Sequence, residues 1–353
     1  VQTAKRTIHV LLDYTPSDSI ITNSYWRECF YDDDFSDFNI NIVEGQQMSS
    51  DSFLWSDTAY KNAQLKNILT MLQTGKISAG DIFVFTNAWN FIATQLAMFR
   101  IEYELDIKLV GFWGNGVFNK YSTESKVFRN KSIWSRHQEI QMLKTYDLNC
   151  FFSEAFYNEF VEKHRVIYTM KRVQVEVTGY PFGYLAKSSQ NVEKRKKVIF
   201  PYGITDEFQV PVFKGFRFDM PEYEFIIARE EYKDRRSYKN LLNESIGIFT
   251  GKRLEWNPVV LYEGMSKGLV PFVPDTEVFK AFFPEKYQYI SSLVAPKKNK
   301  MLYLVRTSFQ LKEYLKEKLD DYEHWKDVVV QDADEIGKTY YSNHKFKQLL
   351  CQL

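Results

Sequence analysis

A chain of 353 residues, 44% hydrophobic and 26% charged, has a globular balance and room for two domains. That balance excludes disorder, collagen-like repeats and a coiled-coil rod. Lys+Arg 46 against Asp+Glu 45 leaves a formal charge of +1, so a nucleic-acid partner would have to be met by a local patch, not by a global basic field. Short β-branched and aromatic runs then alternate with helix-like stretches, which predicts βαβ units around a parallel sheet. Strands are expected at 7–14, 38–45, 81–87, 107–113, 149–155 and 173–181, with helices over 20–31, 57–74, 90–102, 133–145 and 155–164. KSSQNVEKRKK, 187–197, is polar and without periodicity and reads as a linker. The alternation restarts with strands at 196–203, 223–230, 244–251, 269–275 and 287–294 and a helix over 257–268, and ends in a charged helical tail from 308 to 353. The expected plan is a first α/β domain over 1–186, a linker over 187–197, a second domain over 198–307, and helices over 308–353 that pack back on the first domain.

Val1–Thr7 carry Lys5 and Arg6 and run into TIHVLLDY without an apolar signal region, and no apolar run approaches the roughly 20 residues that span a bilayer. Cys29, Cys150 and Cys351 have neither metal nor redox spacing, so a soluble, cytoplasmic setting is expected. His9, His137, His164, His324 and His344 have no ligand spacing either, and each reads as structural or surface. The first strand is followed by DYTPSDS in place of G-x-G-x-x-G, and P-loop, HExxH and G-x-S-x-G motifs are missing, which argues against NAD enzymes, P-loop ATPases, zincins and α/β-hydrolases. Gly114-Asn115-Gly116 is a loop that can approach a ligand closely, and equally a tight turn.

The densest chemistry lies in TGKRLEWNPVVLYEGMSKGLVPFVPD, 250–275, where seven residues separate Glu255 from Glu263. Pro258 stands at a helix start and Gly268 at its end, and free N–H groups at such a start suit a diphosphate. Glu263 could accept hydrogen bonds from a ribose diol, Glu255 from sugar hydroxyls, while Lys252 and Arg253 offset phosphate charge. A solvated charged turn feeding an ordinary amphipathic helix has the same spacing.

This stretch resembles the donor-binding segment of retaining GT-B glycosyltransferases: a glutamate, seven residues, a second glutamate, a small-residue helix end and a strand ending in proline, matched by Glu255, Glu263, Gly264, Gly268 and LVPFVPD. The likeness extends to SEAFYNEF (153–160), TGYPFG (178–183) and FPYGITDEF (200–208), the last where such enzymes often carry a phosphate-contacting loop, here with Tyr202 and Gly203. Trp256-Asn257-Pro258 departs from the usual small residues, and Arg229, followed by Lys233, is the best match for the basic partner. No histidine ends the fourth strand; Trp113 and Asn115 occupy that region.

The resemblance implies two doubly wound Rossmann-like domains facing a cleft, and transfer of a sugar from a nucleotide-sugar donor, expected to be a UDP-sugar, with no metal and no further cofactor. Arg229, Lys252, Arg253, Tyr202, Gly203 and the helix start at Pro258 would hold the diphosphate and Glu263 the ribose. Glu255, Asp18 and Asn115 are the expected catalytic residues, with Glu255 on the sugar. Asp13 and Asp18 could position the acceptor, or cap a turn before the helix at Ile20.

A narrower likeness carries the acceptor. SYKNLLNESIGIFTGKRLEWNPVVLYEGMSKGLVPFVPD with FFPEKYQYI resembles the phage glycosyltransferases that modify hydroxymethylated DNA bases, and the enzymes that mannosylate queuosine in tRNA. A 5-hydroxymethylpyrimidine in phage DNA is the favoured acceptor, which would place the protein in the host cytoplasm. An exposed base would be held by aromatics and its phosphates by basic side chains, for which Trp89, Trp113, Phe118 and Tyr121 with Lys120, Lys126, Arg129, Lys131 and Arg136 are available, although aromatics are more often core. Transfer to tRNA, lipid or glycan, and a binding module without catalysis, are the alternatives.

Overall fold

Runs such as IFVF and LNCF are buried at every position because a strand in the middle of a parallel sheet is covered on both faces. The computed structural model describes residues 5–14, 20–47, 52–114, 116–118, 133–164, 173–187, 193–201, 209–251, 258–294 and 300–353. It divides into two units, Val1–Phe182 with Tyr340–Leu353, and Gly183–Thr339.

Unit 1 runs β1 (Thr7–Leu11), α1 (Ile20–Phe30), β2 (Asn39–Val43), α2 (Phe53–Gln73), β3 (Ile82–Phe85), α3 (Phe91–Glu102), β4 (Lys108–Trp113), α4 (Ile133–Thr145), β5 (Leu148–Phe151), α5 (Glu154–His164) and β6 (Val175–Val177). The strands form one parallel sheet in the order β2-β1-β3-β4-β5-β6, with Ile8 opposite Ile40 on one side and Ile82 on the other. Because β1 passes to β2 on its left and β3 lies on its right, the chain reverses direction across β1. The loops after β1 and β3 therefore leave for opposite faces and open a crevice at the carboxyl ends of the strands. Ser52 and Asn90 cap α2 and α3 by accepting from Trp55 N and Ile92 N.

Unit 2 runs β7 (Lys197–Phe200), α6 (Gln209–Asp219), β8 (Glu224–Ile227), α7 (Ala228–Glu231), α8 (Arg235–Glu244), β9 (Gly247–Phe249), α9 (Val259–Ser266), β10 (Val270–Pro274), α10 (Glu277–Phe282), β11 (Gln288–Tyr289), α11 (Lys300–Asp320) and α12 (Tyr322–Tyr340). Its parallel sheet has the order β11-β10-β9-β7-β8, so the reversal falls between β7 and β9. Where the sequence predicts a strand over 287–294, only Gln288 and Tyr289 pair with β10. The chain then turns into a 3-10 helix over Ser291–Val294, because Ser291 N–H is drawn to the Asp275 carboxylate at 2.6 Å instead of continuing the ladder.

The last helix, α13 (Asn343–Gln352), returns to unit 1. Phe346 lies edge-on to Phe112 of β4 at 4.9 Å between ring centroids and also meets Phe30 and Phe35. Asn343 Nδ2 donates to the Asp34 carboxylate at 2.7 Å. Aromatic rings from α1, β4, the segment 180–182 and α13 thus pack together against β4 of the six-stranded sheet.

Candidate functional site

In unit 2 the reversal is flanked by the segments that follow β7 and β9, and these are the two stretches singled out by the sequence, FPYGITDEF and TGKRLEWNP. Tyr202, Gly203, Lys252, Arg253 and Glu255 fall in them and lie outside the described residues, as do Asp18 and Asn115. Arg229 sits on α7, and its side chain is likewise outside the described set.

Two members of the predicted set are described. Pro258 is the N-cap of α9, buried and without a side-chain capping bond. Its fixed φ suits the entrance to a helix, and Gly268, at φ 78°, supplies the left-handed residue beyond the helix end. The helix is observed over Val259–Ser266, shorter than the expected 257–268, and is buried along nearly its whole length. Gly264 lets it approach β9, where an added Cβ would stand 3.1 Å from Ile248. Glu263 is therefore carried into the interior of unit 2, with 1% of its surface exposed.

Its partner is Arg235, the first residue of α8. Arg235 Nη1 donates to Glu263 Oε2 at 2.8 Å and Nη2 to Oε1 at 2.6 Å. This is the two-pronged arrangement in which a planar guanidinium matches a carboxylate. The helix start is fixed independently by Asp234, whose carboxylate accepts from Ser237 N while Ser237 Oγ accepts from Asp234 N. The sequence pointed to Arg229, followed by Lys233, as basic residues for the diphosphate and assigned Glu263 no partner; Lys233 is exposed. The one local signal was the capping sequence Asp234-Arg235-Arg236-Ser237, which marks a helix start and hence a side chain at the carboxyl edge of the sheet.

Unit 1 carries charged groups at its own reversal. Asp13 follows β1 and Asn87 follows β3, and Asn87 Nδ2 donates to Asp13 Oδ2 at 2.8 Å. Thr86 joins the same two segments, accepting from Asp13 N at 3.0 Å and donating to Leu11 O at 3.1 Å. From α2, Lys61 Nζ stands 3.5 Å from Asp13 Oδ1 and 2.9 Å from Asp57 Oδ1. Burial pushes the Asp57 carboxyl above its ordinary range against the pull of Lys61, with Asp13 adding to the upward shift.

Farther along the sheet, Glu139 and His164 form a fully buried pair, Nε2 to Oε2 2.5 Å. Glu139 also accepts from Val117 N at 2.7 Å and Phe118 N at 3.1 Å, which ties down the segment after β4. Gly116 is required there, since a Cβ would strike the Glu139 carboxylate. His9 bridges Asp81 and Asn41 beneath the sheet, and burial lowers its pKa.

The aromatic surface considered for a base is overturned at three positions. Trp89, Trp113 and Phe118 are 7%, 1% and 1% exposed, and Trp113 spends its indole N–H on Asn149 Oδ1 at 2.8 Å. They are core rings: Trp113 ends β4, an interior strand covered on both faces, and Phe118 lies edge-on to Trp113, Phe156 and Phe160. Arg136 is half-buried on α4, and Tyr121, Lys120, Lys126, Arg129 and Lys131 lie outside the described residues. Among the described residues no group of three or more His, Cys, Asp or Glu is placed to hold a metal ion, and no helix is long and apolar enough to cross a membrane.

No family model matches the chain, and no curated protein matches it by sequence. Solved structures do. Sucrose-phosphate synthase from Thermosynechococcus elongatus aligns over 98% of this chain and 98% of its own, with a TM-score of 0.58 at 9% identity. Alr3699/HepE from Anabaena, solved with UDP and glucose, aligns over 99% and 100%, with a TM-score of 0.56 at 9% identity. The pneumococcal O-GlcNAc transferase GtfA, solved with UDP and GlcNAc, is matched over 83% of this chain and 60% of that one, with a TM-score of 0.52 at 12% identity. The chain thus spans about three fifths of GtfA. The shared property is the fold: two parallel Rossmann-like α/β units, the GT-B architecture, as the sequence led us to expect.

Proposed function

We propose that the protein is a retaining glycosyltransferase that takes its sugar from a UDP-sugar. The observation that carries this reading is the buried Glu263, on α9 and gripped by Arg235, beside the reversal of the five-stranded sheet, where α/β folds bind their ligands. UDP is favoured as the nucleotide because HepE and GtfA, which share the fold, were solved with it. In this reading Glu263 accepts from the ribose hydroxyls. Arg235 orients that carboxylate, a role that sequence reasoning had left empty. The helix start at Pro258, with Arg229, Lys252, Arg253 and the Tyr202-Gly203 segment, meets the diphosphate, and Glu255 the sugar; Asp18 and Asn115 remain candidates on the acceptor side.

Transfer breaks the bond between the anomeric carbon and the diphosphate oxygen, and the electron pair leaves on UDP. The acceptor hydroxyl oxygen bonds to the same face of that carbon, and its proton passes to the departing diphosphate. Preorganised positive groups do most of such work, since they need no reorganisation as charge develops on the leaving group.

The acceptor we favour is a 5-hydroxymethylpyrimidine in DNA, and it rests on the resemblance of the 237–275 run to phage DNA-base glycosyltransferases. Incubation with hydroxymethylated duplex DNA and a panel of UDP-sugars, followed by mass spectrometry of the nucleosides, tests both halves. A sugar increment on the hydroxymethyl base alone is the expected result. Donor binding or hydrolysis without any increment, on DNA or on bulk tRNA beside it, would retain the transferase and discard the nucleic-acid acceptor.

A further inference from the structure

The five-stranded sheet carries a second concave surface at the amino ends of β7 and β8, the opposite end of the strands from the reversal. A groove of about 510 Å³ opens there, a volume in the range of small-molecule sites. Six charged side chains line it: Arg195, Lys196, Lys197, Arg217, Glu222 and Glu224. Three of them are answered within the fold. Lys197 Nζ donates to Glu244 Oε2 at 2.9 Å, Arg195 Nη1 stands 3.6 Å from the same oxygen, and Glu222 accepts from Lys316 Nζ at 2.9 Å. The hydrogen bonds from Lys197 and Lys316 hold the Glu244 and Glu222 carboxyls below their ordinary range, so both carboxylates are committed.

The other three are not answered. Among the described residues Lys196, Arg217 and Glu224 form no ion pair, and together they leave a net positive charge. A solvated charged edge would spend these two cations on neighbouring carboxylates, as it does Lys197 and Lys316. Both are instead held by contacts that leave their charge free. Arg217 Nε donates to Phe225 O at 3.2 Å, and its guanidinium lies 4.9 Å from the centroid of Phe213. Lys196 Nζ lies 5.5 Å over the ring of Tyr223, whose hydroxyl is fixed on Asp320 at 2.5 Å. Side chains anchored in this way lose less freedom when a ligand arrives.

A phosphate monoester carries roughly two negative charges at pH 7 and three strong acceptor oxygens, which suits two cations better than the single charge of a carboxylate. Arg217 offers a planar fork and Lys196 a point charge, the two common ways of meeting such a group. Glu224 narrows the choice further. A bare phosphate ion meets it as a like charge, whereas an ester whose carbon skeleton bears hydroxyls offers it a donor.

We propose that this groove binds a phosphate ester of a polyhydroxy compound, with Lys196 and Arg217 on the phosphate and Glu224 on a hydroxyl. The site lies within unit 2 and does not depend on the glycosyl-transfer reading. Two sources share that chemistry: a soluble sugar phosphate, and the inositol phosphate head group of a lipid.

The test is calorimetric titration of the full chain with glucose 6-phosphate and with inorganic phosphate, beside flotation with vesicles containing phosphatidylinositol 4-phosphate. Glucose 6-phosphate should bind more tightly than inorganic phosphate. Lys196→Gln with Arg217→Gln should weaken it about 10-fold or more, and Glu224→Gln should narrow the gap between the ester and inorganic phosphate. Lys66→Gln, at an exposed position of α2 in unit 1, removes a charge elsewhere and should change nothing. Lys196 and Arg217 are exposed, so the double variant should keep its melting temperature; if it does not, Lys196→Gln alone is read. UDP affinity should be the same in parent and double variant, and a shared loss would overturn a site separate from the donor's. Vesicle binding that the double variant loses, without affinity for glucose 6-phosphate, assigns the phosphate to a lipid. Absence of both, or affinities that survive the double variant or fall equally in Lys66→Gln, overturn the site.

Discussion

The reversal points of the two sheets handle buried charge in opposite ways. In unit 2 a single carboxylate, Glu263, is matched by a single guanidinium through two parallel bonds, so that the pair is neutral. In unit 1 two carboxylates compete for Lys61, and among the described residues neither Asp13 Oδ1 nor Asp57 Oδ1 accepts a hydrogen bond. A closed pair of the first kind fixes a side chain in one orientation. An open network of the second kind leaves acceptors unsatisfied. The same topological feature can therefore serve to hold a group still or to leave one wanting, and the local count of donors and acceptors decides which.

The sharpest way to break this comparison is to remove one half of the closed pair. Arg235→Ala strands Glu263 at 1% exposure, and loss of a partner from a buried pair costs about 3–5 kcal/mol, read as a fall in the unfolding free energy in urea. Arg235→Ala with Glu263→Gln should recover much of that loss, because the stranded charge is gone. Nearly as large, Glu139→Ala leaves His164 and the N–H groups of Val117 and Phe118 without their acceptor, for about 3 kcal/mol in the same assay. Glu263→Ala, by contrast, should weaken UDP binding by about 1.5–3 kcal/mol in calorimetry, the range for hydrogen bonds to a charged group. An unchanged UDP affinity would end the ribose assignment.

The smallest effect is in pH dependence and belongs to unit 1. Burial lowers the His9 pKa below 6.5 despite the hydrogen bond and charge of Asp81. As pH falls through 6.5 the unfolded chain takes up a proton that the folded chain refuses, so stability is lost from there down to the folded value. Glu139 slopes the other way from 4.5 upward, since burial raises its carboxyl pKa and the folded form holds its proton longer. Melting curves between pH 7.5 and pH 5.5 should show a decline that His9→Gln flattens; a decline of equal size in the variant would move the cause elsewhere.

Strands were the most legible part of the chain. Apolar runs such as VLL, FVF and CFF are confined to short lengths by turn residues, and covered parallel strands leave no other reading. Gly268 was legible for the same local reason, a residue needed at positive φ after a helix. Glu263 could be picked out by its spacing from Glu255, but its partner could not. Arg235 lies 28 positions away, and only the packing of α8 beside α9 brings the two together. The Glu139–His164 pair was invisible on the same ground. Trp89, Trp113 and Phe118 illustrate the reverse difficulty: an aromatic near a strand end reads alike whether it faces a ligand or the core, and burial alone separates the two.

What the sequence determined by itself was therefore the inventory and its local grammar: two runs of βαβ units, the helix start at Pro258 and its end at Gly268, and an excess of aromatic surface needing cover. Tertiary structure decided the order of the strands, and with it where each sheet reverses. It also decided which charges are paired, closed between Arg235 and Glu263 and open around Asp13. The division has a physical cause. Backbone preferences act over a few residues, whereas burial and charge compensation depend on groups that only the folded chain brings within a few ångströms of one another.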